Sequence, residues 1–202
     1  MPLVPTQMQG LIMGKAASQV LSGEKLPAFV SAVSMATCQY LMAASTVNST
    51  NIALGPGAGT QTGKIAGVIP TAMTSMMMAK AASLGLSGKD IYKLLSSVAF
   101  GVCMSLNSVT VSGTIIGAGP GAGFGKIVGL APTALQGLIF SQELLRTLSG
   151  QMMQQLIAAI SFGICNHIMS AATVSLTDIG FFIPPPVGPI TIPAAPGIGR
   201  FS

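Results

Sequence analysis

Groups capable of acid–base work are scarce in this chain. His167 is the lone imidazole, and Glu24, Asp90, Glu143 and Asp178 are the four carboxylates. One histidine does not assemble a Ser-His-Asp or Cys-His arrangement with conviction. The four carboxylates share no common spacing that would pair them as acid and base. Cys38, Cys103 and Cys165 are more suggestive, because three thiolates with His167 would make a Cys₃His zinc set. Against it, no C-x-x-C pair is present, and Cys165 and His167, two apart on a helix, point to different sides. Small hydrophobic packing is the simpler role for these thiols. An odd cysteine count also argues against a disulfide framework. No catalytic, metal or cofactor-binding residue is expected.

Two glycine-rich stretches invite a phosphate-binding reading. They are Leu54-Gly55-Pro56-Gly57-Ala58-Gly59, followed by Gly63-Lys64-Ile65, and Ala118-Gly119-Pro120-Gly121-Ala122-Gly123, followed by Gly125-Lys126-Ile127. A P-loop needs a glycine five residues before Gly-Lys and a hydroxyl after it. Here Ala58 and Pro120 occupy the first position, and Ile65 and Ile127 the second. Gly55, Gly57 and Gly59 spell GxGxG rather than the dinucleotide GxGxxG. Glycines at every other position instead lie on one face of an extended chain, against which something packs closely. Gly55, Gly57, Gly59, Gly119, Gly121 and Gly123 are therefore interaction candidates. So are Lys64, Lys126 and Arg200, which end equivalent loops. Around a threefold axis these cations form a ring, either meeting an anion or acidic partner or simply standing solvated. A net charge of +5 without interleaved aromatics does not make a nucleic-acid surface, and no small-molecule substrate is evident. Thirteen methionines fit irregular core space or an adaptable binding face.

The elements that carry these residues come in three copies. Pro5, Pro70 and Pro132 are each followed sixteen residues later by Leu-Ser-Gly, and Cys38, Cys103 and Cys165 stand fifteen residues beyond those glycines. Thr46-Val47, Thr110-Val111 and Thr173-Val174 follow. Each copy reads as helix A from the proline, a stop at Leu-Ser-Gly, an all-round apolar helix B, and then an extended Gly/Pro segment. The third copy departs at Pro184-Pro185-Pro186, which excludes a central strand and suggests an edge strand or docked tail. The expected fold is mainly α with extended Gly/Pro-rich segments. It is a single domain, 1–202, of three tandem helix-hairpin repeats, 5–69, 70–131 and 132–183, with a Pro-rich tail, 184–202. The B helices would pack together, and the repeats suit a pseudo-threefold arrangement.

Half of the residues are apolar and 6% are charged, too few charges to cover a lone globule and too much apolar surface for disorder. A membrane protein and a subunit enclosed by partners remain. Helix B, about 22 residues long, would span a hydrocarbon layer. However, aromatic belts are missing, and direct repeats would send every B helix across in one direction, leaving irregular backbone for the return. Met1-Pro-Leu-Val-Pro lacks the basic start of a secretory signal. An enclosed subunit meets the same facts with less strain.

In composition and construction the chain resembles small structural proteins of bacteriophage tails and baseplates. Pro193-Ala194-Ala195 is similar to the Pro-Ala-Ala-Arg spike tips that cap trimeric needles, though Pro196 replaces the arginine and the zinc-binding His/Cys set is absent. No residue role transfers. The resemblance implies a non-enzymatic virion component of a tail, baseplate or spike, whose partners are other structural proteins, one of them threefold-symmetric. The alternative is an integral or membrane-penetrating protein built from the same repeats.

Overall fold

The computed structural model describes residues 3–53, 57–117, 122–142, 151–178 and 196–201. Among these described residues, six helices alternate in pairs with six strands. Helix A of each repeat is α1 (Pro5–Ser18), α3 (Pro70–Ser83) or α5 (Pro132–Phe140), and proline opens all three as expected. Helix B is α2 (Leu26–Ala44), α4 (Lys89–Ser108) or α6 (Gln151–Ala171). The strands are β1 (Thr46–Ala53), β2 (Gly57–Ala66), β3 (Thr110–Gly117), β4 (Ala122–Val128), β5 (Val174–Asp178) and β6 (Pro196–Phe201).

The helices form a ring in chain order, with α6 closing on α1. Each B helix lies between the A helix of its own repeat and that of the next, so the B helices do not make a separate bundle. Their apolar surface is covered by A helices through residues such as Met8, Ile12, Met73, Met77, Leu135 and Ile139, all fully buried. Where a B helix crosses the following A helix the backbones come close. A Cβ on Gly163 would stand 2.9 Å from the Ile12 nitrogen, and one on Gly101 3.2 Å from the Ile139 nitrogen. Small residues on helix B thus permit this crossing.

In the first two repeats the helix stop lies earlier than Leu-Ser-Gly, while Leu148-Ser149-Gly150 lies outside the described residues. The Leu21 N–H donates to the Ala16 carbonyl and the Val20 N–H to Ala17, the double bond of a Schellman cap. Leu86 and Gly85 repeat it on Ala81 and Ala82. The left-handed residue is therefore Val20 (φ 58°) or Gly85 (φ 74°), not the glycine of Leu-Ser-Gly.

A mainly α fold is overturned by the strands. All six pair antiparallel and close into a barrel, β1-β2-β3-β4-β5-β6 and back to β1. The chain is therefore a mixed helix-and-strand protein. β6, too, differs from the expected edge strand or tail, since it pairs with β5 on one side and β1 on the other. Pro196 sits at its first position, where a missing N–H is tolerated. Residues 184–195 lie outside the described residues.

The register has threefold symmetry. Within the hairpins Val47 pairs with Ile65, Val111 with Ile127 and Val174 with Phe201. Between them Gly63 pairs with Val111, Gly125 with Val174, and Gly199 with Val47. Val47, Ile65, Val111, Ile127 and Val174 are buried and form the inner layer nearest the helices. Each B helix touches the last strand of the preceding hairpin: α4 meets β2, α6 meets β4, and α2 meets β6.

Glycine explains how six strands can close. Eight strands enclose just enough room for side chains, and six enclose less. A Cβ on Gly113 would lie 2.6 Å from the Phe124 carbonyl oxygen and 2.7 Å from Gly125 Cα. One on Gly63 would lie 2.8 Å from Ser49 Cβ. In both cases the close neighbour is the adjacent hydrogen-bonded strand, β4 for Gly113 and β1 for Gly63.

Candidate interaction surface

Alternation along the strands separates lumen from wall. Buried Ser49, Gln61, Gly63, Gly123 and Gly125 face in, while Asn48, Thr60, Thr62, Lys64, Ser112, Thr114, Phe124, Lys126 and Val128 are exposed. In the lumen, Gln61 Nε2 donates to Ser49 Oγ, both buried. The outer wall is a field of hydroxyls and amides bearing Lys64 and Lys126.

The structure brings the three predicted cations to one level. Lys64 is opposite Asn48, Lys126 opposite Ser112, and Arg200 opposite Ser175 in their hairpins. These positions are equivalent under the threefold register, about two strand spacings or ~10 Å apart around the wall. Neither lysine has an acidic partner among the described residues; the ion pair seen there, Asp90 with Lys93 at 3.4 Å, lies on α4. A shallow groove lined by Asn48, Thr62, Gly63, Lys64 and Thr110 runs beside the first of them. On β4, Phe124 and Val128 flank Lys126 with 71% and 52% of their surface exposed.

The glycine candidates divide. Gly57 and Gly59 belong to β2 and pair with Gly117 and Ile115 of β3. Gly123 is buried in β4. Gly55, Gly119 and Gly121 lie outside the described residues.

The thiols are structural in their surroundings. Cys38, Cys103 and Cys165 are free and fully buried, and burial pushes each pKa up to about 12. They stay protonated at neutral pH and are poor nucleophiles and metal ligands. Cys103 Sγ rests 3.9 Å from Met73 Sδ. Among the described residues no three His, Cys, Asp or Glu side chains stand close enough to share a metal.

One set of residues was missed in the sequence. Two positions beyond the cysteines stand Tyr40, Ser105 and His167, at equivalent points of the B helices. Tyr40 and His167 fall beside the extended residue that precedes the next helix A. The Ile69 N–H donates to the Tyr40 hydroxyl at 2.7 Å, and the Val4 N–H to His167 Nε2 at 3.1 Å. Ser105 is shorter, and its buried hydroxyl has no partner. Burial lowers the His167 pKa, in keeping with a neutral ring that accepts a hydrogen bond. The offsets of 65 and 62 residues that align the cysteines would have located this set, but three unlike residue types concealed it.

No protein family, curated protein or solved structure matches the chain.

Proposed function

We propose that the chain is a non-enzymatic structural subunit that joins a threefold-symmetric partner to the rest of a large assembly, in the setting of a phage tail, baseplate or spike. The observation that carries this reading is the threefold register of the barrel. A single polypeptide offers the same contact three times around one axis, which is what a cyclic trimer requires of a monomer at its end. The chemistry of the interior supports a structural role. The thiols are held protonated, and the imidazole is occupied by a backbone N–H.

The low charge fits enclosure by partners better than insertion into lipid. Of the described helices, α2 alone is long and apolar enough to cross a membrane, and over half of that stretch is buried by its neighbours. Its counterparts α4 and α6 do not qualify, although repeats in one environment should. The outer wall of the barrel, rich in Thr, Ser, Asn and Lys, is unlike the apolar band of a membrane barrel.

Native mass spectrometry of the assembly that contains the chain tests this reading. One copy per three copies of a partner is expected, with release by dissociation in the absence of detergent. Retention in carbonate-washed membranes would replace it with the membrane alternative.

A further inference from the structure

We infer that the outer wall of the barrel, at the level of Lys64, Lys126 and Arg200, is a docking belt for a homotrimer that presents one carboxylate per chain. This deepens the proposed function and rests on it: the trimer is the partner, and the belt is where it is held.

The register supplies the first argument. Charges that only keep a protein soluble can stand anywhere on its surface. Here the third hairpin departs from the other two in sequence from Pro184 onward, yet where its strand resumes, a cation returns at the equivalent position. Lys64, Lys126 and Arg200 lie opposite Asn48, Ser112 and Ser175, each neighbour polar and uncharged. Position is what the three repeats share.

Charge complementarity is the second argument. No carboxylate among the described residues pairs with Lys64 or Lys126, so these charges are available to another molecule. Within the six strands the cations are three and the one acid is Asp178. The three positions are ~10 Å apart at the backbone, and Lys64 and Lys126 point outward from it, so the partner must offer negative charge at threefold-related points more widely spaced than that. One residue repeated by threefold symmetry does that. Because Lys64 and Lys126 stand on the outside of the wall, the trimer must surround the barrel as a collar rather than enter it.

Exposed apolar surface is the third argument. Phe124 and Val128, each over half exposed, lie on either side of Lys126 in the outward row of β4. Large exposed apolar side chains beside a charge belong to a contact more readily than to a solvated wall. They would pack against the collar while the cations set its rotation.

One exposed ion pair is weak, typically under 1 kcal/mol, but three closed by the same rigid body reinforce one another. Lys64→Glu alone should therefore weaken retention in the assembly less than about tenfold, and Lys64→Glu with Lys126→Glu more than about a hundredfold. The Lys64→Arg, Lys126→Arg chain should be retained. Circular dichroism and thermal melting of the free variants establish that the barrel still folds.

The direct test treats the intact assembly with a carbodiimide, which joins a lysine amine to a carboxylate it touches, and maps the joined peptides. Lys64 and Lys126 should both be linked to the same acidic residue of one partner sequence, and both should resist acetylation until the assembly is dissociated. Links to two different sequences, links to carboxylates of this chain, or two lysines that acetylate freely in the assembly would each overturn the belt. A one-to-three stoichiometry with freely reactive lysines sinks the belt and leaves the proposed function standing. A different stoichiometry sinks the proposed function itself.

Discussion

Val20 is a β-branched residue held at φ 58°, where Cβ crowds the following carbonyl. The second repeat has Gly85 at the same point of the same cap. Val20 is 87% exposed, so its side chain contributes little packing to offset the strain. Val20→Gly should stabilise the fold by about 1 kcal/mol, the cost of a left-handed β-branched residue less the added freedom of glycine when unfolded. Urea unfolding would measure it, and a loss of stability would show that Val20 makes a contact outweighing its strain. A second comparison between repeats concerns the buried hydroxyls of Ser34 and Ser161, which have no partner, whereas Ala99 fills their position in α4. Ser34→Ala and Ser161→Ala should each be neutral or stabilising by up to about 1 kcal/mol, because they remove an unsatisfied polar group without leaving a large cavity. A destabilisation of either variant in the same titration would place a bound water or a further donor at that hydroxyl.

At the scale of the elements, glycine decides what can approach what. At Gly113 an added methyl would meet backbone on the neighbouring strand, 2.6 Å from the Phe124 oxygen, and backbone in a closed barrel cannot step aside. Gly113→Ala should cost about 2 kcal/mol or more, with loss of sheet signal before helix signal on heating. In the helix ring Gly163 is comparably close to Ile12, yet Ala36 occupies the matching position of α2 and is fully buried. Gly163→Ala should accordingly cost less than Gly113→Ala, since helices can shift apart by a few tenths of an ångström. Equal losses would refute the claim that the barrel wall is the stiffer of the two. The same contrast explains what was legible beforehand. Pro5, Pro70, Pro132 and the apolar B segments carry local helix signals, and the six helices lie where these point. Glycine, by contrast, disfavours strands locally, and its use here depends on the close approach of the paired neighbouring strand, which local sequence does not signal. The cations could be aligned by repeat arithmetic for Lys64 and Lys126. Arg200 could be grouped with them as the end of an equivalent loop, but its register opposite Ser175 emerged only once β6 was seen to pair with both β1 and β5.

At the scale of the whole molecule, three copies of one unit must close on themselves, and the closures are unequal. The α2–α3 and α4–α5 contacts join repeats that follow one another through a hairpin. The α6–α1 contact joins the last repeat to the first. Tyr40 serves the first seam with its hydroxyl, while His167 serves the last with an imidazole, whose ordinary pKa is about 6.5. Among the described residues, the other charged groups on the elements packed against α6 are Lys15 of α1 and Lys126 of β4, both cations, which disfavour an imidazolium. Protonation would also remove the lone pair that accepts the Val4 N–H. Because burial lowers the folded pKa of His167, the unfolded chain binds its proton first as the pH falls. Its contribution is therefore complete above the ordinary histidine value of about 6.5 and declines below it, until the folded pKa is reached. Between pH 7.5 and 5.5 the protein should lose stability through this group, and His167→Gln, which can still accept from Val4, should lose less. Amide exchange locates the effect. At pH 5.5, after correction for intrinsic rates, α1 and α6 should lose protection while α2 and α3 keep theirs. Equal loss at both seams, or a His167→Gln chain as acid-sensitive as the parent, would mean that the ring is not closed by this histidine.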